Sequence, residues 1–174
     1  MWASRFGTAP ASATGQAVPE ASARPEKLTS LYWEDFEVGD VFTAPWGRTI
    51  TDAHVLAFSG ITGDFQHLHV DQQYAERSEF GGRIAHGPLT AVTGLGLQVY
   101  TQVWRNAMAF LEERHEYLLP VHIGATVSSA MHVIETKATK KADRGIVFFR
   151  NDLTLQDGSL ACRSHYTMMI RRRG

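Results

Sequence analysis

Asp64 and His69 stand five residues apart in the stretch Ser59-Gly-Ile-Thr-Gly-Asp-Phe-Gln-His-Leu-His-Val-Asp71. A carboxylate and an imidazole held by one short segment form a proton-transfer pair. One takes a proton from water while the other delivers one to carbon or oxygen. Gln66 and His67 lie between them and add an amide and a second imidazole. The same residues have an ordinary structural reading. Asp after Gly is a common turn residue, and Asp71 ahead of Gln72-Gln73-Tyr74 resembles a helix cap. A histidine with apolar neighbours is more often a hydrogen-bonded core residue than a catalyst. Spacing alone leaves both readings open.

The surrounding pattern predicts the elements that hold this stretch. Val41-Phe42-Thr43-Ala44 reads as a first strand that continues past Pro45 through Arg48-Thr49-Ile50. Thr51 or Asp52 then caps a short helix with Val55, Leu56 and Phe58 on one face, ending near Gly60. Gly60 and Gly63 let the backbone turn into a loop carrying Asp64 and His69, and Asp71 opens a second short helix through Arg77. Pro88 suits a first helical position, and Pro88–Trp104 reads as the long helix of the chain. Leu89, Val92, Leu95, Val99 and Val103 form its expected apolar stripe, with Gly94 and Gly96 as small contacts. No charge interrupts it before Arg105, so it should be buried by a sheet wrapped around it. Strands are expected at 109–118, 125–137, 145–155 and 160–172, with Gln156-Asp157-Gly158-Ser159 as a hairpin turn. This order gives an α+β fold with the helices on one face of an antiparallel sheet.

Composition sets the wider limits. The chain has 174 residues, 44% hydrophobic and 20% charged, as expected for one globular domain. A net charge of −1 supplies no general field for nucleic acid or an acidic membrane. One cysteine, Cys162, excludes an intrachain disulfide and a Cys-rich zinc site, and fits a reducing compartment such as the cytoplasm. Residues 1–28, rich in Ala, Ser and Pro, read as a flexible leader, and 29–174 as a single domain. No nucleophile-elbow serine motif, phosphate-loop lysine or His-Glu-x-x-His helix occurs.

Gly63-Asp-Phe-Gln-His-Leu-His-Val-Asp71, then Tyr74-Ala75, then Gly82-Arg-Ile-Ala-His-Gly87 resembles the hydratase signature of the MaoC-like (R)-specific enoyl-CoA hydratases. Phe36-Glu-Val-Gly-Asp40 resembles the family's opening turn, and Gly145-Ile-Val with Gln156-Asp-Gly158 its closing hairpin. The resemblance implies a hot-dog fold, a long central helix wrapped by a curved antiparallel β-sheet. It also implies addition of water to an enoyl-CoA thioester, or the reverse dehydration, with Asp64 and His69 as the catalytic pair. The Gly87 N–H would then donate to the thioester oxygen, with His86, Gln66 and His67 beside the acyl group. Lys140, Lys141 and Arg144 match a basic segment that would meet the CoA phosphates. The implied assembly is a homodimer, with an acyl thioester as partner, no metal and no cofactor.

One departure stands out: Gln66-His67 replaces the family's usual Asn-Pro, lengthening the amide arm and removing a fixed φ. It keeps open a second reading, an acyl-CoA binder or scaffold subunit that has lost turnover. A thioesterase of this fold would commonly carry its carboxylate on the long helix, and Pro88–Trp104 holds neither Asp nor Glu. A metal site from His67, His69 and His86 is the remaining alternative, imidazole suiting zinc or iron.

Overall fold

A computed structural model of the chain describes residues 30–174, so the leader expected over 1–28 lies outside the described residues. The first strand divides at Pro45-Trp46-Gly47 into β1 (Val41–Thr43) and β2 (Arg48–Thr49). α1 (Asp52–Thr62) starts where expected: the Thr51 backbone N–H donates to His54 Nδ1 at 3.0 Å. It runs past Gly60 and stops at Gly63, whose φ of 78° lies in the left-handed region that favours glycine. The expected loop around His69 instead contains a single helical turn, α2 (His67–Val70). Asp71 caps α3 (Gln72–Glu76) by accepting the Tyr74 N–H at 2.9 Å.

α4 (Gly87–Leu97) is shorter than the sequence predicts. Gln98–Thr101 tightens into a 3-10 turn, and Gln102 at φ 66° ends the run. The buried residues of α4 include Leu89, Ala91, Gly94 and Leu97, whereas Val92 and Val99 are 46% and 57% exposed. The expected stripe therefore holds at Leu89, Leu95 and Val103 and fails at Val92 and Val99. Gln98 is buried next to Val99: its amide donates to Ser129 Oγ at 2.8 Å inside the core, a polar contact that an apolar-stripe argument overlooks.

β3 (Ala107–Tyr117), β4 (Thr126–Ala138), β5 (Arg144–Leu155) and β6 (Leu160–Arg171) follow, all within two residues of expectation. Among the described residues they form one antiparallel sheet in the order β1-β4-β5-β6-β3, with β2 also on β4. Strict alternation along β5 buries Val147, Phe149, Asn151 and Leu153 on the helix side. Met131, Val133, Tyr166, Met168 and Ile170 join Val147 and Phe149 in the main cluster, with Phe36, Phe42 and Val103. A curved sheet around a central helix is the hot-dog arrangement.

Candidate active site

Three helical pieces and one sheet end converge on the predicted pair. The Ile84-Ala85 segment is stitched to the chain before β4, with the Ala85 N–H donating to Val121 O at 2.7 Å and Ile84 bridging His122. Its other side meets α2, where the Ile84 N–H donates to Leu68 O at 3.3 Å. This places the end of α1, the Asp64 segment, α2 and the start of α4 side by side.

His69 is 8% exposed, and its Nδ1–H donates to Ile84 O at 2.8 Å. A carbonyl only accepts, so in the uncharged ring the Nε2 lone pair is left for chemistry. His86 is 1% exposed, with Nε2 3.0 Å from the Asp64 carbonyl and 3.4 Å from Ser59 Oγ. Its ring stacks on His69, at 3.8 Å and 30°, and meets Phe58 at 5.0 Å and 49°. Half-buried Asp64 accepts the Gln66 N–H on Oδ1 at 3.2 Å, which shapes the turn into α2. One donor atom from each of Asp64, His69 and His86 lies within 4.8 Å of the other two. Within this cluster, the Asp64 carboxylate and the His69 imidazole are close enough to serve one bound molecule as base and acid. The cluster is also the group, among the described residues, whose spacing would let it close on a metal ion.

Gly87 opens α4, so its N–H lies outside the helical ladder, at the positive end of the helix dipole. It borders a largely apolar cavity of about 650 Å³, shared with Ile84, Thr90, Tyr117, Leu119 and Val121. A side chain at position 87 would meet the Tyr117 ring, 3.1 Å from where its Cβ would stand. Burial pushes the Tyr117 phenol above its ordinary pKa, with Cys162 and Glu113 adding to the effect, so it remains a hydroxyl donor at neutral pH. Asp64 and His69 are not among its lining residues; His69 is linked to it through its hydrogen bond to Ile84, which is.

The remaining expected residues fall in two places. Gln66 and His67 are exposed beside the pair, and the His67 ring packs on Tyr74 at 5.3 Å, outside the three-residue cluster. Lys140, Lys141 and Arg144 lie at the β4–β5 turn, with Arg144 donating to both oxygens of Asp143 at 2.8 and 2.6 Å. That turn closes the end of β4 opposite the one beside Val121. The separation is roughly 40 Å of strand at the usual rise per residue. Sequence reasoning missed Ser59 and Tyr117. Ser59 carried a faint signal, a polar residue four positions after Val55 on the buried side of α1; Tyr117 carried none.

The chain matches the family model of the MaoC like domain over residues 35–149. The (R)-specific enoyl-CoA hydratase of Rhodospirillum rubrum is 29% identical over 149 residues, covering 86% of this chain and 98% of that protein. The 3-hydroxybutyryl-CoA dehydratase of Methylorubrum extorquens is 36% identical over 110 residues, covering 63% and 68%. Among solved structures, a conserved hypothetical protein of Mycobacterium tuberculosis with a double hotdog fold has a TM-score of 0.75 at 21% identity. That likeness, of fold alone, covers 83% of this chain and 45% of the other.

Proposed function

Because the chain belongs to the MaoC-like domain family, we propose that it hydrates a trans-2-enoyl-CoA to the (R)-3-hydroxyacyl-CoA, or runs the reverse dehydration. Asp64 and His69 serve as the acid–base pair. As the water oxygen bonds to C3, one of the two groups removes its proton. The other delivers a proton to C2, where the electrons of the double bond have moved. Negative charge builds on the thioester oxygen in between, and a fixed N–H at a helix N-terminus, that of Gly87, stabilises it without reorganisation. The observation that carries this reading is the joint placement of Asp64, His69 and the start of α4, with His69 Nδ1 already committed to Ile84 O.

The neighbouring residues take subordinate roles in the same proposal. Gln66 and His67 shape the approach of the acyl group. Lys140, Lys141 and Arg144 meet the CoA phosphates, where charge-assisted contacts are the strong ones. The chain works as a homodimer through the edge of β3 that is unpaired among the described residues, where Phe110 and Leu111 are 46% and 49% exposed. We read it as cytoplasmic, on its single cysteine. No helix among the described residues is long and apolar enough to cross a membrane.

The test is hydration of crotonyl-CoA, followed by loss of the enoyl-thioester absorbance, with the product's configuration read by a stereospecific dehydrogenase. The expected result is (R)-3-hydroxybutyryl-CoA, at a rate unchanged by a metal chelator. Release of free thiol would mark a thioesterase instead. Tight binding of acyl-CoA without turnover would leave the non-catalytic binder that Gln66-His67 kept open.

A further inference from the structure

We propose that His86 is a positioning residue. It holds the Asp64 backbone and the His69 ring in register with the first turn of α4, and it does not contact substrate. The inference rests on the acid–base reading above and deepens it.

Three observations carry it. The side chain is 1% exposed, and its Nε2 faces the Asp64 carbonyl at 3.0 Å, so little of the ring is left for a ligand to touch. A carbonyl accepts, so the Nε2–H donates, and this one bond fixes where the Asp64 backbone lies. The flat face of the same ring stacks on His69 at 3.8 Å, and the Phe58 ring packs on it at 5.0 Å. His69 is thus restrained from two directions, by Ile84 O at Nδ1 and by His86 across its face. Finally, the His86 main chain begins α4: its carbonyl accepts the Thr90 N–H at 3.1 Å and the Thr90 hydroxyl at 3.3 Å. Gly87 comes next in sequence. One residue therefore ties the proposed acid, base and oxyanion donor to a single rigid point.

A purely space-filling role would be served as well by an apolar ring. Against that, His86 Nδ1 is buried without a hydrogen-bond partner among the described residues. A buried unpaired acceptor is costly and is tolerated where the other nitrogen is needed. The unprotonated Nε2 of His69 and the Nε2–H of His86 thus follow from opposite tautomers of two stacked rings, each set by one backbone carbonyl.

The experiment uses the full chain with two substitutions and the wild type. His86→Phe keeps a ring against His69 and removes the donor; His86→Gln loses the ring and offers an amide N–H to the Asp64 carbonyl. Misplacing a reacting group by a fraction of an ångström costs about tenfold or more in rate. His86→Phe should therefore lower kcat for crotonyl-CoA by about that factor, with KM held within about twofold. His86→Gln should recover part of the loss. A rise in KM at unchanged kcat would make His86 a substrate contact and overturn the proposal. So would unchanged kinetics, or equal losses in both variants matched by equal falls in melting temperature. Nitrogen-15 NMR of the wild type, at a pH where the imidazoles are uncharged, is independent of how either variant folds. It should find the proton of His86 on Nε2 and that of His69 on Nδ1, and the reverse pattern for His86 sinks the idea. Wild-type protein without any hydratase turnover would count against the acid–base reading itself, whereas the NMR result bears on His86 alone.

Discussion

Asp64→Asn keeps the shape of the side chain and removes its basicity. Turnover of an enoyl-CoA should fall by about 10²-fold or more, while a saturated acyl-CoA still binds in a calorimetric titration. His69→Ala should cost a similar factor. Because the two groups act as one unit, the double variant should lose far less than the product of the single losses. A fully multiplicative loss would mean that the residues work independently. A second residue-level expectation concerns Tyr166, which burial pushes from 10.0 up to about 12, against the opposing pull of Ser164 and Asn151. Between those values the unfolded chain gives up a phenolic proton that the folded chain keeps. Stability is therefore whole below pH 10 and falls as pH rises towards 12. Denaturant midpoints across that window should drop less steeply for Tyr166→Phe than for the wild type. Sequence spacing exposed Asp64 and His69 because both lie on one short segment. The setting of His86 was not readable, because Ser59, Asp64 and His69 reach it only after three separate helices have docked.

α4 shows why elements are easier to foresee than their faces. Its apolar, uncharged composition announced a buried helix, and the alternation of β5 announced a strand, because burial acts on every residue of each. Which side of α4 turns inward is decided by a few particular contacts. Gly94 lies so close to the Leu153 side chain that a Cβ there would overlap it, and the Gly94 carbonyl accepts the Ser129 hydroxyl at 3.1 Å. Gly94→Ala would gain about 1 kcal/mol in helix propensity. Overpacking a filled core costs about 1–3 kcal/mol, and Leu153 is wholly buried with little room to move. The clash should win, and thermal or urea unfolding should find the variant less stable. Adding Leu153→Ala should then cost less than Leu153→Ala does in the wild type, since the new methyl fills part of the space. Additive effects would show that the helix shifts instead.

At the scale of the whole molecule, the strand order leaves β3 paired on one side only among the described residues. Two copies joined there by a two-fold axis would run antiparallel, so each subunit's far end comes to lie beside its neighbour's near end. The far end carries the Lys140, Lys141 and Arg144 turn, whose distance from Gly87 could not be read from the sequence because it depends on how far β4 and β5 extend. The consequence is one of inheritance between subunits. A phosphate grip too remote to serve its own site would be lent across the interface, so two defective chains should repair each other. Subunits carrying Asp64→Asn can be mixed with subunits in which the three basic residues are Ala. Each mixed dimer would then contain one site with an intact Asp64 facing an intact turn. Low-KM turnover should reappear in the mixture although neither parent shows it. If each turn serves its own subunit, no intact site is created by mixing, and only the high-KM activity of the second parent will remain.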